Sequence, residues 1–335
     1  MKNKKILLVG GCGFIGHNLA LFLKEKGSNP VVVDSLSVNN ILSFADDDIK
    51  NKKLYNSILN NRIELLNSKN ISLVIQDARD YHAISRIYKE INPDVIIHLA
   101  AVSHANKSNK DPHNTFDHSL RTLENTLDFA KNNKTHVIYI SSSMVYGDFN
   151  SKDVDEKSNC KPIGIYGTLK FSGELLVKSY KQVFDLPYTI IRPSALYGER
   201  CVSRRVGQIF IENAIQNEEI IINGNGEDKL DFTYIEDLIE GISSCCFNKN
   251  SLNETFNITF GKSRKINELL ELLKSEFPRV KVAYKEREKF MPERGTLNID
   301  KAKQLIGYKP AYSIDEGYIK YINWYKSFYE KKINN

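Results

Sequence analysis

Short apolar runs alternate with longer amphipathic segments over the first half of the chain. The apolar runs predict buried strands, because a strand that is covered on both faces of a parallel sheet is apolar throughout. They span residues 4–9, 30–33, 72–75, 95–99, 136–140 and 187–191. Strands that alternate with helices predict an α/β fold, a doubly wound parallel sheet of the Rossmann type whose ligands bind at the carboxyl ends of the strands.

The pattern changes at two places. Residues 39–70 are a polar insertion after the second strand, and their helical leucine and isoleucine spacing predicts one or two surface helices near the adenosine end of a cofactor. After Arg192 the elements become shorter and the loops more polar, although residues 255–259 are expected to return to the main sheet. We therefore predict a cofactor domain over residues 1–191, completed by parts of 231–260, and a smaller, discontinuous α/β substrate-binding domain over residues 192–335.

Composition narrows the class of protein. The chain has 335 residues, 41% of them hydrophobic, and a net charge of +6 that comes from dispersed lysines. This excludes a disordered chain and disfavours nucleic-acid binding, which needs basic and aromatic residues interleaved on one surface. Five cysteines without metal-ligand spacing predict reduced thiols, no metal site and a cytoplasmic protein. The short apolar run at the start resembles neither a signal peptide nor a membrane span.

A glycine-rich turn follows the first predicted strand. Gly10, Gly13 and Gly16 lie between that strand and a helix, the arrangement that places a pyrophosphate on a helix N-terminus. Gly10 is expected to form the turn, Gly13 to let the backbone approach the phosphates, and Gly16 to let helix and strand pack closely. Asp34 ends the second strand, where a carboxylate binds a ribose diol and repels a 2′-phosphate. The motif predicts NAD in preference to NADP.

Other residues share the carboxyl edge of the predicted sheet. Asp77 is placed to hydrogen-bond an adenine amino group, and small side chains at 100 and 101 let a dinucleotide pass close to the backbone. A turn at Asp77 and simple packing of the alanines explain these residues equally well. The cofactor contacts predicted in addition to the three glycines and Asp34 are Phe14, Ile15, Asp77, Ala78, Leu99, Ala100, Ala101, Ser141, Tyr166, Lys170, Arg192 and Pro193.

An acid–base pair stands in the middle of the chain. Tyr166 and Lys170 are four residues apart, so both face one side of a helix. A tyrosine with a pKa of about 10 is a poor base near neutrality, but an adjacent cation stabilises the phenolate. Ser142, after the fifth strand, can hydrogen-bond the same substrate oxygen. We predict that Ser142, Tyr166 and Lys170 are catalytic and move a proton while a hydride is transferred.

Together these motifs resemble one enzyme family. The chain is similar to the extended short-chain dehydrogenases of the NAD-dependent epimerase/dehydratase family, on the segments 10–16, 77–80, 98–101, 141–147, 166–170 and 192–198. The resemblance implies that Tyr166 deprotonates a sugar hydroxyl, commonly at C4, and that Lys170 orients the nicotinamide ribose and tunes Tyr166. It also implies a homodimer formed by the helices near residues 115–130 and 167–183.

Departures from the family pattern bear on the reaction and substrate. Ser143 and Met144 stand where 4,6-dehydratases carry an Asp-Glu pair, so elimination of water is disfavoured. His118, Leu230 and Ser194 replace residues common in the family; a surface histidine explains His118 equally well. Arginines could hold a diphosphate through their forked donors, although surface charge explains them as well. The candidate substrate contacts are Ser103, Ser143, Ser194, Arg204, Arg205, Arg287 and Arg294.

The sequence thus predicts an NAD-dependent nucleotide-sugar epimerase that acts by hydride transfer at C4 through a keto intermediate. A nucleoside-diphosphate-sugar C4-dehydrogenase or ketoreductase, on a hexose or heptose, is the alternative, because it uses the same three residues. A 4,6-dehydratase and a non-catalytic NAD(H)-binding regulator fit less well. The expected partners are a nucleoside-diphosphate sugar and a second copy of the chain, with no nucleic acid and no membrane.

Overall fold

The computed structural model describes residues 3–45, 49–103, 105–149, 153–287 and 291–332. Residues 46–48 of the predicted insertion lie outside the described residues. The strands are β1 Lys5–Val9, β2 Asn29–Asp34, β3 Ser72–Ile75, β4 Val95–His98, β5 His136–Ile140, β6 Asp153–Val154, β7 Tyr188–Arg192, β8 Leu196–Tyr197, β9 Ile220–Asn223, β10 Lys229–Leu230, β11 Thr233–Tyr234, β12 Glu254–Asn257, β13 Arg264–Lys265, β14 Val282–Lys285 and β15 Thr296–Leu297.

The helices connect and cover these strands. They are α1 Phe14–Glu25, α2 Lys52–Ser68, α3 Tyr81–Ile91, α4 Ala105–Lys110, α5 Pro112–Phe116, α6 Thr122–Asn133, α7 Gly164–Phe184, α8 Val206–Ile215, α9 Ile235–Phe247, α10 Ile266–Glu276, α11 Asp300–Ile306 and α12 Ile314–Lys332. Short 3-10 turns lie at Ile41–Phe44, Ser143–Tyr146 and Lys249–Ser251, and a π-turn at Asp117–Arg121 joins α5 to α6.

Seven parallel strands form the main sheet in the order β12-β7-β5-β4-β1-β2-β3. The six predicted strands are all present, and their ends differ from the prediction by at most one residue. The strand predicted at 255–259 joins the edge of the sheet as β12, beside β7. The predicted α/β fold is confirmed, and the loops after β1, β2, β3, β4 and β5 meet at one edge.

The core explains why the strands are apolar throughout. Ile6 and Leu8 of β1 pack on one face of the sheet, with α1 and α2, whereas Leu7 and Val9 pack on the other face. Because side chains alternate along a strand, helices on both faces leave no side of β1 exposed to water. The run of apolar residues before the glycine turn is therefore the direct consequence of a doubly covered sheet.

The predicted helix in the insertion is present as α2, with one face exposed and the other buried. Helix α2 packs against α1 and α12, and its apolar side chains Tyr55, Ile58 and Leu59 are fully buried. Asparagine and lysine fill its outer face and hide the apolar stripe in the overall composition. The insertion completes the core on one face of the sheet.

The remaining elements form a smaller part beside the sheet. Two-residue and four-residue strands pair locally, β8 with β11, β9 with β14, β10 with β13 and β6 with β15. The β6–β15 pair is the important one for the site, because it holds the segment before β15 against the turn that follows β5. Within the described residues, no helix has the length and apolar character needed to cross a membrane.

Candidate active site

The glycine turn is built so that side chains are excluded. Gly10 has φ +76°, and a Cβ atom there would lie 2.7 Å from the Cα of Ala100. At Gly16 a Cβ atom would lie 2.4 Å from the carbonyl oxygen of Gly11. Both distances are shorter than any real contact, so β1, the turn and α1 approach one another as closely as their backbones allow. The roles predicted for Gly10 and Gly16 agree with this geometry.

Helix α1 begins at this turn with its amides open. Gly13 is the N-cap residue, and no side chain caps the helix there. The first amide groups of a helix lack partners within the helix and carry the positive end of its dipole. An anion such as a pyrophosphate satisfies both features, which is the arrangement expected for a dinucleotide.

Asp34 lies beside the turn and fixes two loops. Its carboxylate accepts hydrogen bonds from the backbone amides of Cys12 at 2.9 Å and Leu36 at 2.7 Å. Burial raises the pKa of Asp34, while these two hydrogen bonds act in the opposite direction. The carboxylate therefore joins the glycine turn to the start of the insertion and lines the cleft.

One cleft runs along the carboxyl edge of the sheet. It contains most of the predicted cofactor residues and two of the predicted substrate residues: Gly10, Gly13, Phe14, Ile15, Gly16, Asp34, Asp77, Ala78, Leu99, Ala100, Ala101, Ser103 and Arg205. Sequence analysis did not single out other lining residues, namely Val33, Ser35, Val38, Asn39, Arg62, Gln76, Thr122, Leu196 and Ser203. The motifs thus located the cleft but not the side that the insertion contributes.

Arg62 is the most unusual of the residues that sequence analysis missed. It is fully buried on α2, and its guanidinium donates to the Arg200 carbonyl at 2.5 and 3.1 Å and to the Cys12 carbonyl at 3.4 Å. Burial lowers its pKa to about 10. Arg62 connects the insertion, the glycine turn and the segment after β8; no local motif marks an arginine inside a polar helix for such a position.

Asp77 lines the cleft and also stabilises the turn that follows β3. Its carboxylate accepts from the Arg79 amide at 2.9 Å and pairs with the Arg79 guanidinium at 2.6 Å. Although partial burial acts to raise it, these hydrogen bonds hold the pKa of Asp77 below its usual value. His118, in the π-turn, lines the same end of the cleft, and burial followed by the charge of Arg79 lowers its pKa. His118 is half-buried, so it lies partly at the surface as well as in the cleft.

Helix α7 carries the predicted acid–base pair. Tyr166, Lys170 and Glu174 follow one another at four-residue intervals and share a face of the helix. Ser142 follows β5, accepts from the Met144 amide at 3.2 Å, and lies near enough to Tyr166 to lower the pKa of its hydroxyl. The three predicted catalytic residues are therefore brought together at the end of β5.

The positive charges that act on Tyr166 belong to two arginines and not to Lys170. Burial raises the pKa of Tyr166, whereas the Arg205 charge, the Ser142 hydrogen bond and the Arg294 charge lower it. Lys170 instead donates to the Ile140 carbonyl at 2.7 Å, and burial lowers its pKa to about 8 against the opposing effect of Glu174. Two arginines from the smaller part of the molecule thus supply the positive field that the sequence assigned to Lys170.

Several residues predicted to bind the cofactor form a hydrogen-bond network beside the catalytic residues. Glu174 accepts from the Ser141 hydroxyl at 2.6 Å and from two nitrogens of Arg192. The Arg192 guanidinium also donates to the Tyr146 hydroxyl at 2.8 Å, and the Pro193 carbonyl accepts from the Ser143 amide at 2.9 Å. The side chains of Ser141 and Arg192 are therefore directed into this network.

The predicted substrate residues fall into separate groups. Arg294 donates to the Ser143 hydroxyl and, at 3.3 Å, to the Ser194 hydroxyl, so these three residues form one cluster. Arg287 pairs with Asp228 at 3.2 Å instead. Arg204 is exposed with φ +52°, and its amide donates to Gln208 at 2.9 Å. The structure thus brings Ser143, Ser194 and Arg294 together near Tyr166 and leaves Arg204 and Arg287 out of that cluster.

Comparison with known proteins identifies the family. The NAD dependent epimerase/dehydratase family profile matches residues 6–259. A Methanocaldococcus jannaschii protein with a provisional name of UDP-glucose 4-epimerase is 30% identical over 329 residues, covering 96% of this chain and 98% of its own.

Solved structures agree with this result. The UDP-glucuronic acid 4-epimerase of Bacillus cereus, solved with UDP-glucuronic acid and NAD, has a TM-score of 0.87 at 26% identity, covering 97% of this chain and 100% of that one. The UDP-glucose 4-epimerase of Thermotoga maritima, solved with UDP-glucose, has a TM-score of 0.84 at 26% identity, covering 96% and 99%. This chain belongs to the NAD dependent epimerase/dehydratase family and is an NAD-dependent nucleotide-sugar epimerase or dehydrogenase of the extended short-chain dehydrogenase type.

Proposed function

We propose that the protein is a nucleoside-diphosphate-sugar 4-epimerase that acts through a keto sugar, with Tyr166 as the proton acceptor and donor. The observation that carries the proposal is the position of Tyr166, beside Ser142 and within the electrostatic field of Arg205 and Arg294, all of which lower its pKa. The names of the similar proteins, which act on UDP-sugars, support UDP as the nucleotide.

The chain's own residues suffice for the proton steps. NAD, when bound along the glycine turn and Asp34, supplies the hydride acceptor. Tyr166 removes the proton of the C4 hydroxyl, and Ser142 holds the same oxygen through its hydroxyl. The arginine charges stabilise the phenolate in the interval before transfer. After the keto sugar turns over in the pocket, Tyr166 returns a proton to the same oxygen, and the configuration at C4 is inverted.

Elimination of water finds no support in this site. A 4,6-dehydratase needs an additional acid and base beside the catalytic hydroxyl residue. Ser143 and Met144 occupy those places, and both contact the Arg294 guanidinium. A C4-dehydrogenase or ketoreductase uses the same residues as an epimerase and differs in releasing the keto sugar. A regulator without activity would not need Ser142, Tyr166 and Lys170 to be brought together at one site.

We also propose the two-part organisation and a homodimer. Residues 1–191, with strand β12, hold the cofactor, and residues 192–335 supply Arg205 and Arg294 to the substrate. Large apolar side chains are exposed on α5 and α7, with Phe116 46%, Leu175 51% and Val183 70% accessible. An exposed apolar surface of this kind is typical of an interface. Light scattering at micromolar concentration is expected to give the dimer mass, and a monomer mass would contradict it.

The test is incubation of the purified protein with UDP-, GDP-, CDP- and dTDP-sugars, followed by mass spectrometry and absorbance of NADH. An isomer of unchanged mass without net NADH is expected. Loss of two hydrogens with NADH would establish the dehydrogenase, and loss of water would overturn the assignment of Ser143 and Met144. Tyr166→Phe should reduce turnover by roughly 10²- to 10⁴-fold and still bind NAD. Tyr180→Phe, on the same helix, should leave turnover unchanged.

A further inference from the structure

Arg294 lies at the reacting end of the site. Its Nη2 atom donates to the Ser143 hydroxyl and to the Ser194 hydroxyl, and Nη1 lies 2.8 Å from the Met144 sulfur. The guanidinium also stacks 5.0 Å from the centre of the Phe149 ring. Ser143 directly follows the catalytic Ser142. Arg294 therefore contacts the residue next to Ser142, and its positive charge lowers the pKa of Tyr166.

The position of Arg294 is fixed by the backbone and not by an ion pair. Strand β15 pairs with β6, and the Phe149 amide donates to the Glu293 carbonyl at 2.9 Å. These contacts clamp the segment before β15 against the turn that carries Ser142 and Ser143. The guanidinium is thus held at the site before any substrate enters.

The charge of Arg294 has no carboxylate partner within ion-pair distance among the described residues, and its Nε atom is buried without a hydrogen-bond partner. The carboxylate whose charge acts on it, Asp231, accepts hydrogen bonds from the Leu297 and Gly261 amides at 3.1 Å. Burial lowers the pKa of Arg294 to about 10, which leaves it charged at neutral pH. A buried cation without a counter-ion is costly unless a ligand supplies the negative charge.

We propose that Arg294, with the hydroxyls of Ser143 and Ser194, binds a carboxylate on C5 of the sugar, so that the preferred substrate is a nucleotide-linked uronic acid. The inference rests on the proposed C4 chemistry. C4 is bonded to C3 and C5, whereas the diphosphate is attached to C1 on the opposite side of the ring. A cation one residue from Ser142 therefore faces the substituents of C3 or C5. A planar guanidinium with flanking hydroxyls matches a carboxylate through paired hydrogen bonds.

The diphosphate is the other source of negative charge, and Arg205 is better placed for it. Arg205 lines the dinucleotide cleft and occupies the N-cap position of α8, where no side chain caps the helix. Amides at such a helix end add to the attraction of an anion. The two arginines would then divide the substrate, with Arg205 near the diphosphate and Arg294 near the acidic end of the sugar.

The test measures binding on the NAD-loaded Tyr166→Phe protein, in which turnover does not interfere. Calorimetry compares UDP-glucuronate, UDP-xylose, which lacks only the carboxylate, and UDP. In that background Arg294→Gln should weaken UDP-glucuronate binding by about tenfold or more, because a charged hydrogen bond is lost. It should leave the affinities for UDP-xylose and UDP nearly unchanged. Arg294→Lys should be intermediate, and Arg279→Gln, at an exposed arginine, should alter none of the three.

The outcomes that overturn the inference differ from those that overturn the proposed epimerase. An unchanged ratio of the affinities for UDP-glucuronate and UDP-xylose would show that Arg294 does not recognise the carboxylate. An equal loss for UDP would assign Arg294 to the diphosphate. Isomer formation from UDP-sugars by the native protein, together with an affinity for UDP-glucuronate that does not depend on Arg294, would leave the proposed epimerase standing while the inference fails. Carboxylate-dependent binding by a protein that forms no isomer would support the inference and contradict the proposed epimerase.

Discussion

Glu174 accepts two hydrogen bonds from Arg192, at 2.9 Å from Nε and 2.6 Å from Nη2, and neither side chain is exposed by more than 3%. The same carboxylate accepts from the Ser141 hydroxyl at 2.6 Å. These contacts join α7 to the ends of β5 and β7. Because Lys170 is one turn before Glu174 on α7, the ion pair fixes the position from which Lys170 reaches the Ile140 carbonyl.

Breaking this pair from one side should unfold the protein more easily. Glu174→Gln leaves the Arg192 charge buried without compensation, and we expect a loss of about 3–5 kcal/mol in the free energy of unfolding. Urea titration followed by circular dichroism measures it. Glu271→Gln, which breaks the exposed pair with Lys274, should cost less than about 1 kcal/mol. Equal losses in the two variants would show that the buried pair has no special role.

The sheet and the cofactor turn could be predicted because their causes are local. Ile6, Leu7, Leu8 and Val9 are all buried, so the strand is visible as an uninterrupted apolar run. The glycine turn is visible as three glycines directly after the strand, although the steric limit at Gly10 comes from the backbone of Ala100, far along the chain. The four-residue spacing of Tyr166 and Lys170 needs only a helix to place both on one face.

The residues that could not be predicted depend on distant contacts. Arg294 reaches Ser143 only because the two-residue strand β15 pairs with β6, and such a pair leaves no periodic pattern. Arg62 reaches the glycine turn from the insertion, 50 residues later in the chain. Arg287 and Arg294 look alike in the sequence, yet one pairs with Asp228 and the other contacts the catalytic turn. Sequence could name Arg287 and Arg294 as candidates but could not separate them, and it did not mark Arg62.

Gly10→Ala should release the cofactor. The added methyl group would meet the Ala100 backbone at 2.7 Å, and φ +76° is itself unfavourable for alanine. Gly307→Ala is the matched control, because Gly307 has φ +69° with nothing within 4 Å of an added Cβ atom. We expect the control to lose about 1 kcal/mol of stability and keep NAD. Bound NAD is measured by absorbance after denaturation, and equal NAD content in both variants would refute the steric argument.

Lys170 should make stability depend on pH in the alkaline range. Its folded-state pKa is about 8, below the value near 10.5 of a free lysine, so the unfolded chain binds more protons between these values. The contribution of Lys170 to the free energy of unfolding therefore becomes more favourable as pH increases from about 8 to about 10.5. The difference in unfolding free energy between the native protein and Lys170→Met should grow across that window.

Lys178→Met, on the same helix, serves as the control for that measurement. The Lys170 charge also lowers the pKa of His98, but that group titrates below this window, so the comparison reports Lys170. A flat difference for Lys170→Met would mean that its ammonium is not disfavoured in the folded state.

Arg205 should set the pH at which the enzyme becomes active. Its charge lowers the pKa of Tyr166, so Arg205→Gln should raise that pKa. If the phenolate form is the base, log kcat/KM rises with pH up to the pKa of Tyr166, and the variant should reach its plateau at a higher pH. Loss of a substrate contact alone would lower kcat/KM by the same factor at every pH. The shape of the profile therefore separates the two roles.

The conservative variant completes this measurement. Arg205→Lys keeps the positive charge and should leave the inflection near its original pH, even where kcat/KM falls because the forked donors are lost. Arg279→Gln, at an exposed position, should superimpose on the native profile. An inflection that stays in place for Arg205→Gln would assign the activation of Tyr166 to Arg294 and the Ser142 hydrogen bond, because these are the other influences that lower its pKa.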